Sequence, residues 1–461
     1  MIRRDALREY VRGSLWVLPT LCALAALALG TALSRVDVGP SSPLAFQGTA
    51  DDARSILIGI TGTMVTVIAL LLGLAVVALQ LSSTQFSPRL LRNFLRDRPN
   101  QLVLGAFVGT FAYSAAGLMT VGVSGGERSA EFPRFAVSVA VVLLFVSLGL
   151  LVFFADHLAH SLQIDAIMRV VERNTMPVIR SSLFVVEQPL PPVPERSAPI
   201  PARRSGYVQA VDVQQLLAVA VQRRLTVRLQ PIVGEHVVAG TVLGWVWSEE
   251  GGVVDQPAAR AVAEVVYDAV RLGFERTLEQ DPGFGFRQLV DPACKALSPA
   301  VNDPYTAVQA IEHLSVLFCT LAAGPVGDHI ARDAQGVARV VIPARRFGEH
   351  LALGLGLIRR YGAAEPTVMQ ALLRLLGSCA LLSIDDPDRW AAIERQAELI
   401  VTAAEREVAE PADLAVVHAE AAKLRRTLAA RRAGHAGLAG AGDVADAVGR
   451  ADAARGTTPP A

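Results

Sequence analysis

The first third of the chain alternates between long apolar runs and short polar segments. Four runs are long enough to cross a membrane and hold no acidic or basic residue; they cover residues 14–33, 56–81, 102–123 and 135–154. About 20 apolar residues span a hydrocarbon core of about 30 Å. The first run exceeds the roughly 7–15 apolar residues of a signal peptide, so we interpret it as a retained helix. The pattern predicts an N-terminal four-helix transmembrane bundle over residues 1–155.

Arginine is distributed unevenly between the segments that connect these runs. Four arginines precede the first run and four lie between the second and third, whereas each of the other two connections holds two. Positive charge is enriched on the cytoplasmic side of membrane proteins. We therefore predict a membrane protein whose N terminus, middle loop and entire C-terminal part are cytoplasmic.

Small and polar residues line one side of two of the predicted membrane helices. They are Gly62, Thr66, Gly73 and Gln80 in the second run, and Gly105 and Gly109 in the third. Small residues allow helices to pack closely in lipid, within one chain or between the subunits of a homo-oligomer. The alternative is that this face lines a path for an ion or a small solute, although no acidic ring or filter-like loop accompanies it.

The predicted cytoplasmic loop at residues 82–101 has the pattern of a basic amphipathic helix. Arg89, Arg92 and Arg96 recur at helical spacing beside leucine and phenylalanine. Such a helix lies on a membrane surface and binds anionic lipid headgroups. Docking onto acidic residues of the C-terminal part is the alternative.

Beyond the membrane runs the pattern changes several times. It predicts a stalk helix at 156–180, a Pro-rich linker at 181–204, a small β-rich module at 205–250, a helical domain at 256–432 and a disordered tail at 433–461. The spacing of glycines in "VGEHVVAGTVLGWV" resembles that of biotinyl- and lipoyl-type hybrid barrels. Those barrels carry their cofactor on a lysine, and residues 205–250 contain none. The predicted fold is therefore mainly α, with a barrel-like module that carries no cofactor.

The composition favours a membrane protein and argues against several other classes of function. Only 19% of residues are charged and the mean hydropathy is +0.40, whereas soluble domains carry about 25% charged residues. The formal net charge is zero, which gives no electrostatic basis for binding nucleic acid. The four cysteines have no metal-binding spacing, and no P-loop, G-x-S-x-G or H-E-x-x-H motif occurs. The sequence thus predicts neither an enzyme nor a metal or cofactor site.

Polar residues are concentrated around the stretch "ALSPAVNDPYTA". Asp303 and Pro304 are typical of a helix N-cap and first helical position. More polar groups occur here than capping requires, and we predict that six of them line a cytoplasmic pocket: Arg276, Glu279, Asp281, Arg287, Asn302 and Tyr305. The alternative is that they form only helix caps and surface ion pairs.

Three long blocks carry a resemblance to a known family. They are "TQFSPRLLRNFLRDRPNQLVLGAFVGTFAY", "SGYVQAVD" and "RTLEQDPGFGFRQLVDPACKALSPAVNDPYTA". Together the blocks resemble the bacterial predicted membrane proteins grouped as domain of unknown function 2254, over roughly residues 5–425. The resemblance implies a location in the bacterial inner membrane and this domain layout, and it implies no particular activity.

Two hypotheses about function follow. The first is a channel- or transporter-like protein gated by its cytoplasmic domain, with an ion or small molecule as ligand. The second is a membrane-anchored cytoplasmic sensor or scaffold without transport activity.

Overall fold

The chain forms two compact units, Met1–Ile167 and Met168–Ala461. The computed structural model describes residues 16–36, 42–85, 98–121, 132–161, 163–182, 192–248 and 254–432. Arg89, Arg92 and Arg96, predicted to bind lipid headgroups, lie outside the described residues, as does the predicted tail at 433–461.

The N-terminal unit is helical throughout its described secondary structure. Its helices are α1 (Val17–Leu33), α2 (Ala50–Gln85), α3 (Arg98–Val121) and α4 (Arg134–Ser161). Among the described residues α2, α3 and α4 are long and apolar enough to cross a membrane. The described part of α1 has 17 residues, about 26 Å at a rise of about 1.5 Å per residue, which falls short of a core of about 30 Å. Three candidate spans are therefore found in the described chain where the sequence pattern predicts four.

Helix α3 is the central helix of this unit. Half of its most apolar stretch is buried, compared with 17% for α2 and 22% for α4. Hydrogen bonds tie α3 to α4: the Tyr113 hydroxyl donates to the Ala136 carbonyl at 3.0 Å, and the Thr110 and Ser147 hydroxyls are 3.0 Å apart. Such pairing is required because lipid offers these groups no hydrogen-bond partner.

The C-terminal unit begins with an amphipathic helix and two open β-sheets. The elements are α5 (Ile164–Ser182), β1 (Ala198–Pro201), β2 (Gly206–Val211), α6 (Val213–Arg223), β3 (Leu225–Leu229), β4 (His236–Val237), β5 (Val242–Ser248), α7 (Gln256–Ala269) and β6 (Val270–Gly273). Two later strands, β7 (His329–Arg332) and β8 (Ala338–Ile342), complete the larger sheet, whose order is β1-β5-β3-β8-β7. The smaller sheet has the order β4-β2-β6. Neither sheet closes on itself within the described residues, so the predicted hybrid barrel is not formed.

Helices make up the remainder of this unit. They are α8 (Pro282–Ala296), α9 (Pro304–Ala322), α10 (Phe347–Tyr361), α11 (Pro366–Leu382), α12 (Pro387–Glu407) and α13 (Pro411–Arg432). All of these except α10 begin with proline, whose fixed φ suits the first helical turn and whose missing N–H has no intrahelical acceptor there. The mainly helical fold predicted from the sequence is confirmed.

The predicted domain boundaries differ from the structure in three places. The stalk is interrupted, because Gln163 is not helical, and α5 then continues past Pro177 to Ser182. The predicted Pro-rich linker contains strand β1. The β-rich module is not self-contained, because β8 pairs in parallel with β3, joining Val227 to Val340.

Candidate functional site

A buried carboxylate lies where helix α8 begins. The Asp281 side chain is 2% exposed, and its Oδ1 accepts a hydrogen bond from the Phe284 N–H at 3.3 Å, which makes it the N-cap of α8. Its Oδ2 accepts from Arg276 Nε at 2.9 Å and Nη2 at 2.5 Å. Burial raises the pKa of Asp281, and the positive charges of Arg276 and Arg345 offset that shift only in part.

The loop between β3 and β4 covers this carboxylate through a glycine. Gly234 has a φ of +91°, and its N–H donates to the Val208 carbonyl at 2.8 Å. A Cβ at this position would overlap Asp281 Oδ2 and lie 3.0 Å from Arg276 Nη2. Glycine is required here both for the left-handed backbone and for the close approach.

Beside Asp281 lies a cavity of about 280 Å³. Its walls come from the end of α5, the two sheets, the start of α8, the end of α9 and the segment that joins β8 to α10. Its lining residues are Ser181, Ser182, Val211, Val213, Ile232, Val233, Gln280, Asp281, Pro282, Leu321, Val326, Gly327, His329, Ile342, Pro343, Ala344, Arg345 and His350. The volume is just below the usual range of about 300–1,000 Å³ for ligand pockets, so only a small molecule would fit.

His350, in the first turn of α10, is the most unusual residue of the lining. It is 4% exposed and packs edge-on against Phe286, with 5.4 Å between ring centroids. Its Nδ1 has no hydrogen-bond partner among the described residues. Burial, reinforced by the charge of Arg345, lowers the pKa of His350 to about 3, so the ring is neutral at pH 7. A buried polar atom without a partner costs free energy, and a bound ligand or water would relieve that cost.

Arg345 brings a positive charge to the same cavity. The ion pair it forms among the described residues is a long one, 3.8 Å from Nη1 to Asp281 Oδ1. Asp281 is already bound at shorter distance by Arg276. Two guanidinium groups therefore share one carboxylate, and the charge of Arg345 is only partly neutralised.

Gln280 and His329 are two further polar residues of the lining. The Gln280 amide accepts from the Val211 N–H at 2.9 Å and donates to the Val211 carbonyl at 3.2 Å, which fixes the end of β2. Burial lowers the pKa of His329, so this imidazole is also neutral at pH 7. Among the described residues, Arg345 is thus the cation of the cavity wall and Asp281 is its anion.

The six residues predicted to line a pocket do not form one as a set. Arg276 and Asp281 come together, but only Asp281 lines the cavity. Glu279 pairs with Arg271, and Arg287 pairs with Asp291 at 2.8 Å, one turn away on α8. Asn302 is exposed and Tyr305 is 73% exposed. Proximity in sequence was misleading because the α8–α9 connection carries its polar side chains to the surface.

That connection is built as a tight turn followed by a cap. Asn302 has a φ of +49°, a left-handed conformation that asparagine tolerates better than most residues. Asp303 is the N-cap of α9: its Oδ1 accepts from the Thr306 N–H at 3.1 Å, and its Oδ2 accepts from the Thr306 hydroxyl at 2.6 Å. These bonds lower the pKa of Asp303.

Replacing Asp303 by alanine is expected to lower the free energy of unfolding by about 1 kcal/mol, the usual cost of losing a cap. Tyr305→Phe is the matched variant on the same turn and should change stability by less than about 0.5 kcal/mol because the ring is exposed. Denaturant unfolding followed by tryptophan fluorescence measures both. A loss for Tyr305→Phe as large as that for Asp303→Ala would show that the Tyr305 hydroxyl is structural.

The two predicted small-residue faces have different surroundings. A Cβ at Gly105 would lie 2.9 Å from Cys22 Sγ, and one at Gly109 would lie 3.5 Å from the Cys22 carbonyl oxygen, so α3 packs closely on α1 here. A Cβ added at Gly62 or Gly73 on α2 would have no neighbouring atom of the described chain within 4 Å, and Thr66 and Gln80 on the same helix are exposed. Within the described residues, the α2 face therefore does not pack inside the bundle of a single chain.

Gly105→Leu is expected to destabilise the N-terminal unit by roughly 1–3 kcal/mol, because the larger side chain forces α1 and α3 apart. Gly73→Leu adds the same side chain to an open surface and should leave the chain's own fold unchanged. Thermal unfolding in detergent distinguishes the two. Equal midpoints for both variants would show that the α1–α3 contact is not close-packed.

The sequence analysis did not identify Arg345 and His350, which supply the positive charge and the buried imidazole of the cavity wall. Arg345 and His350 lie in "VIPARRFGEH", where a strand passes through Pro343 into a helix. The available signal was a pair of arginines at that junction, followed by a histidine in the first helical turn. Nothing local indicates that this junction meets Asp281, which is distant in sequence.

The comparisons with known proteins extend over both units. The family model described as "Predicted membrane protein (DUF2254)" matches residues 12–378, which include every residue lining the cavity. The chain is similar to "Uncharacterized protein Rv1290c" of Mycobacterium tuberculosis and "Uncharacterized protein Mb1321c" of Mycobacterium bovis. Each is 42% identical over 430 residues, which cover 91% of this chain and 82% of the relative. No solved structure matches the chain. The resemblance seen in the three sequence blocks is confirmed, and the chain belongs to the DUF2254 family of predicted membrane proteins.

Proposed function

We propose that this membrane protein is an anchored receptor for a small polar solute. In this proposal the helical bundle holds the chain in the bilayer and the C-terminal unit binds the solute in its cavity of about 280 Å³. The observation that carries the proposal is the His350 imidazole, which lines the cavity, is 4% exposed and leaves Nδ1 without a partner among the described residues. A purely structural core would bury an apolar side chain here at lower cost.

Helix α5 offers a route by which occupancy of the cavity reaches the membrane helices. Its last residues, Ser181 and Ser182, line the cavity, and only residues 162 and 163 separate α5 from α4 in the chain. Helix α5 is fastened to the C-terminal unit by the pair of Glu172 and His313 at 2.5 Å. A second contact holds it to α8, where a Cβ on Gly285 would overlap Thr175. A ligand that repositions α5 would therefore act on the short segment that connects the end of α4 to α5.

The experiment is a thermal-shift screen of the full-length protein in detergent with a library of small polar metabolites. Gly327 lines the cavity and has open space around an added Cβ, so Gly327→Leu places a bulky side chain at the cavity wall without backbone strain. Gly356→Leu adds the same side chain in open space on α10, outside the lining. We expect at least one solute to raise the midpoint of wild type and Gly356→Leu by several degrees and to lose that effect in Gly327→Leu. A library without a stabilising solute, or shifts that survive in Gly327→Leu, would contradict the receptor proposal.

A channel or transporter gated by the C-terminal unit is the second candidate. The exposed α2 face favours it, because Gly62 and Gly73 have open space around an added Cβ and Thr66 is exposed on the same helix. In a homo-oligomer this face would meet its copies or line a path between them. Purified protein in liposomes, assayed for ion flux, tests this candidate. Ion flux above that of empty liposomes supports the channel candidate. The absence of flux contradicts it and is consistent with a receptor that does not transport.

The proposed orientation places the N terminus and the C-terminal unit in the cytoplasm of a bacterial inner membrane. Arginine asymmetry supports it. In a cysteine-free background, cysteines placed at Ser42 and Gly125 should react with a membrane-impermeant reagent added to intact cells, and a cysteine at Arg92 should not. Labelling at Arg92 from outside would reverse the orientation.

A further inference from the structure

We infer that the solute is a small organic oxyanion, a carboxylate or a phosphate ester, whose charged group lies between Arg345 and His350. This inference rests on the proposed receptor function. It adds the chemical class of the ligand, which the volume of the cavity alone does not give.

The charged residues of the cavity wall favour an anionic ligand. Within the described part of the chain, the cavity wall contains one cationic residue, Arg345, and one acidic residue, Asp281. Asp281 accepts two hydrogen bonds from Arg276 and is 3.8 Å from Arg345. Asp328 lies next to the lining, but its Oδ1 accepts the Ala344 N–H at 2.9 Å and it forms no ion pair with Arg345 in the described structure. A bound anion would complete the neutralisation of Arg345, whereas a cation would be repelled.

The hydrogen-bond donors of the cavity wall favour an oxygen acceptor on the ligand. His350 is neutral, so one of its ring nitrogens carries a proton and can donate to an oxygen acceptor. Arg345 and His350 both line the cavity, and the charge of Arg345 adds to the effect of burial in lowering the pKa of His350. A guanidinium and an imidazole N–H facing one cavity are donors suited to an oxyanion.

The remaining walls favour an organic body over a bare ion. Val213, Ile232, Leu321 and Ile342 contribute apolar surface to the same cavity. Inorganic phosphate would leave that surface exposed to water, whereas a short carbon chain would cover it. The cavity therefore matches a charged head and a short apolar tail.

The test uses three probes on the full-length protein in detergent at pH 7.5: butanoate, butanamide and inorganic phosphate. Butanoate and butanamide have the same shape and differ in charge, so their comparison isolates the oxyanion. Titration calorimetry should give butanoate a dissociation constant on the order of a millimolar, as expected for so small a ligand. Butanamide should bind at least about tenfold more weakly, the effect of losing one charge-assisted hydrogen bond. Binding of inorganic phosphate more tightly than butanoate would assign the site to phosphate-bearing ligands within the same class.

Three variants complete the design. Arg345→Gln should weaken butanoate binding at least about tenfold, and His350→Leu several-fold, while Arg360→Gln removes an exposed charge from α10 and should have no effect. Butanamide binding as tightly as butanoate, with both lost in Gly327→Leu, would overturn the oxyanion inference and leave the receptor proposal standing. Butanoate binding unchanged in Arg345→Gln, or no binding of butanoate or phosphate to wild type, would also overturn the inference. In that case the metabolite screen decides separately whether the receptor proposal survives.

Discussion

Replacing Asp281 by alanine is expected to lower the free energy of unfolding of the C-terminal unit by roughly 3–5 kcal/mol, the cost of breaking a buried ion pair from one side. The Asp281 side chain is 2% exposed, and Arg276 would lose both of its hydrogen bonds to Oδ2. The α8 N-terminus would lose its cap at the same time. Arg345 would lose the carboxylate that it shares with Arg276.

The matched control is Asp303→Ala, which removes a helix cap for which the described structure shows no ion pair. Asp281→Asn separates the two contributions, because the amide oxygen still caps α8 but no longer carries a charge. Three of the four tryptophans, Trp245, Trp247 and Trp390, lie in the C-terminal unit, so fluorescence in a Trp16→Phe background reports its unfolding. A cost for Asp281→Ala no greater than that for Asp303→Ala would mean that the buried pair contributes little.

Acidification is expected to destabilise the C-terminal unit through His350. The imidazole has a pKa of about 3 in the folded protein and about 6.5 when exposed, so protons bind the unfolded chain preferentially between these values. Stability should therefore be at its plateau above pH 6.5 and fall by about 1.4 kcal/mol per pH unit below it. At pH 4.5 this one residue should cost about 2.7 kcal/mol relative to the plateau at high pH.

The measurement is denaturant unfolding of wild type and His350→Leu between pH 4.5 and 7.5. Leucine removes the titrating group and a buried nitrogen without a partner among the described residues, so the variant should be as stable as wild type at pH 7.5 or more so. Carboxylates, including Asp281 with its raised pKa, titrate in both proteins, so the difference between the two slopes isolates His350. His418, which is 43% exposed, supplies the control His418→Leu. Parallel pH profiles for wild type and His350→Leu would show that His350 is accessible to protons in the folded state.

Much of the helical architecture was predictable because its signals are local. The apolar runs indicate α2, α3 and α4, and proline after Asp303 indicates the start of α9. These signals depend on residues within one or two turns of each other, so a single sequence contains them.

The sheet and the cavity were not predictable because they depend on distant pairings. Val227 pairs with Val340 in parallel across the whole of α7, α8 and α9, and no short pattern encodes that choice. The same pairing brings the β8–α10 junction, with Arg345, to Asp281. The converse holds for Asn302 and Tyr305, which are close to Asp281 in sequence but lie exposed at the turn that connects α8 to α9.

In the proposed function, the cavity beside Asp281 holds an anionic solute. The most direct test of this proposal is a structure of the full-length protein determined with butanoate at a saturating concentration. We expect density for a carboxylate within hydrogen-bond distance of both the Arg345 guanidinium and the His350 ring, with the carbon chain against Ile232 and Leu321. An empty cavity, or ligand density elsewhere on the C-terminal unit, would contradict it.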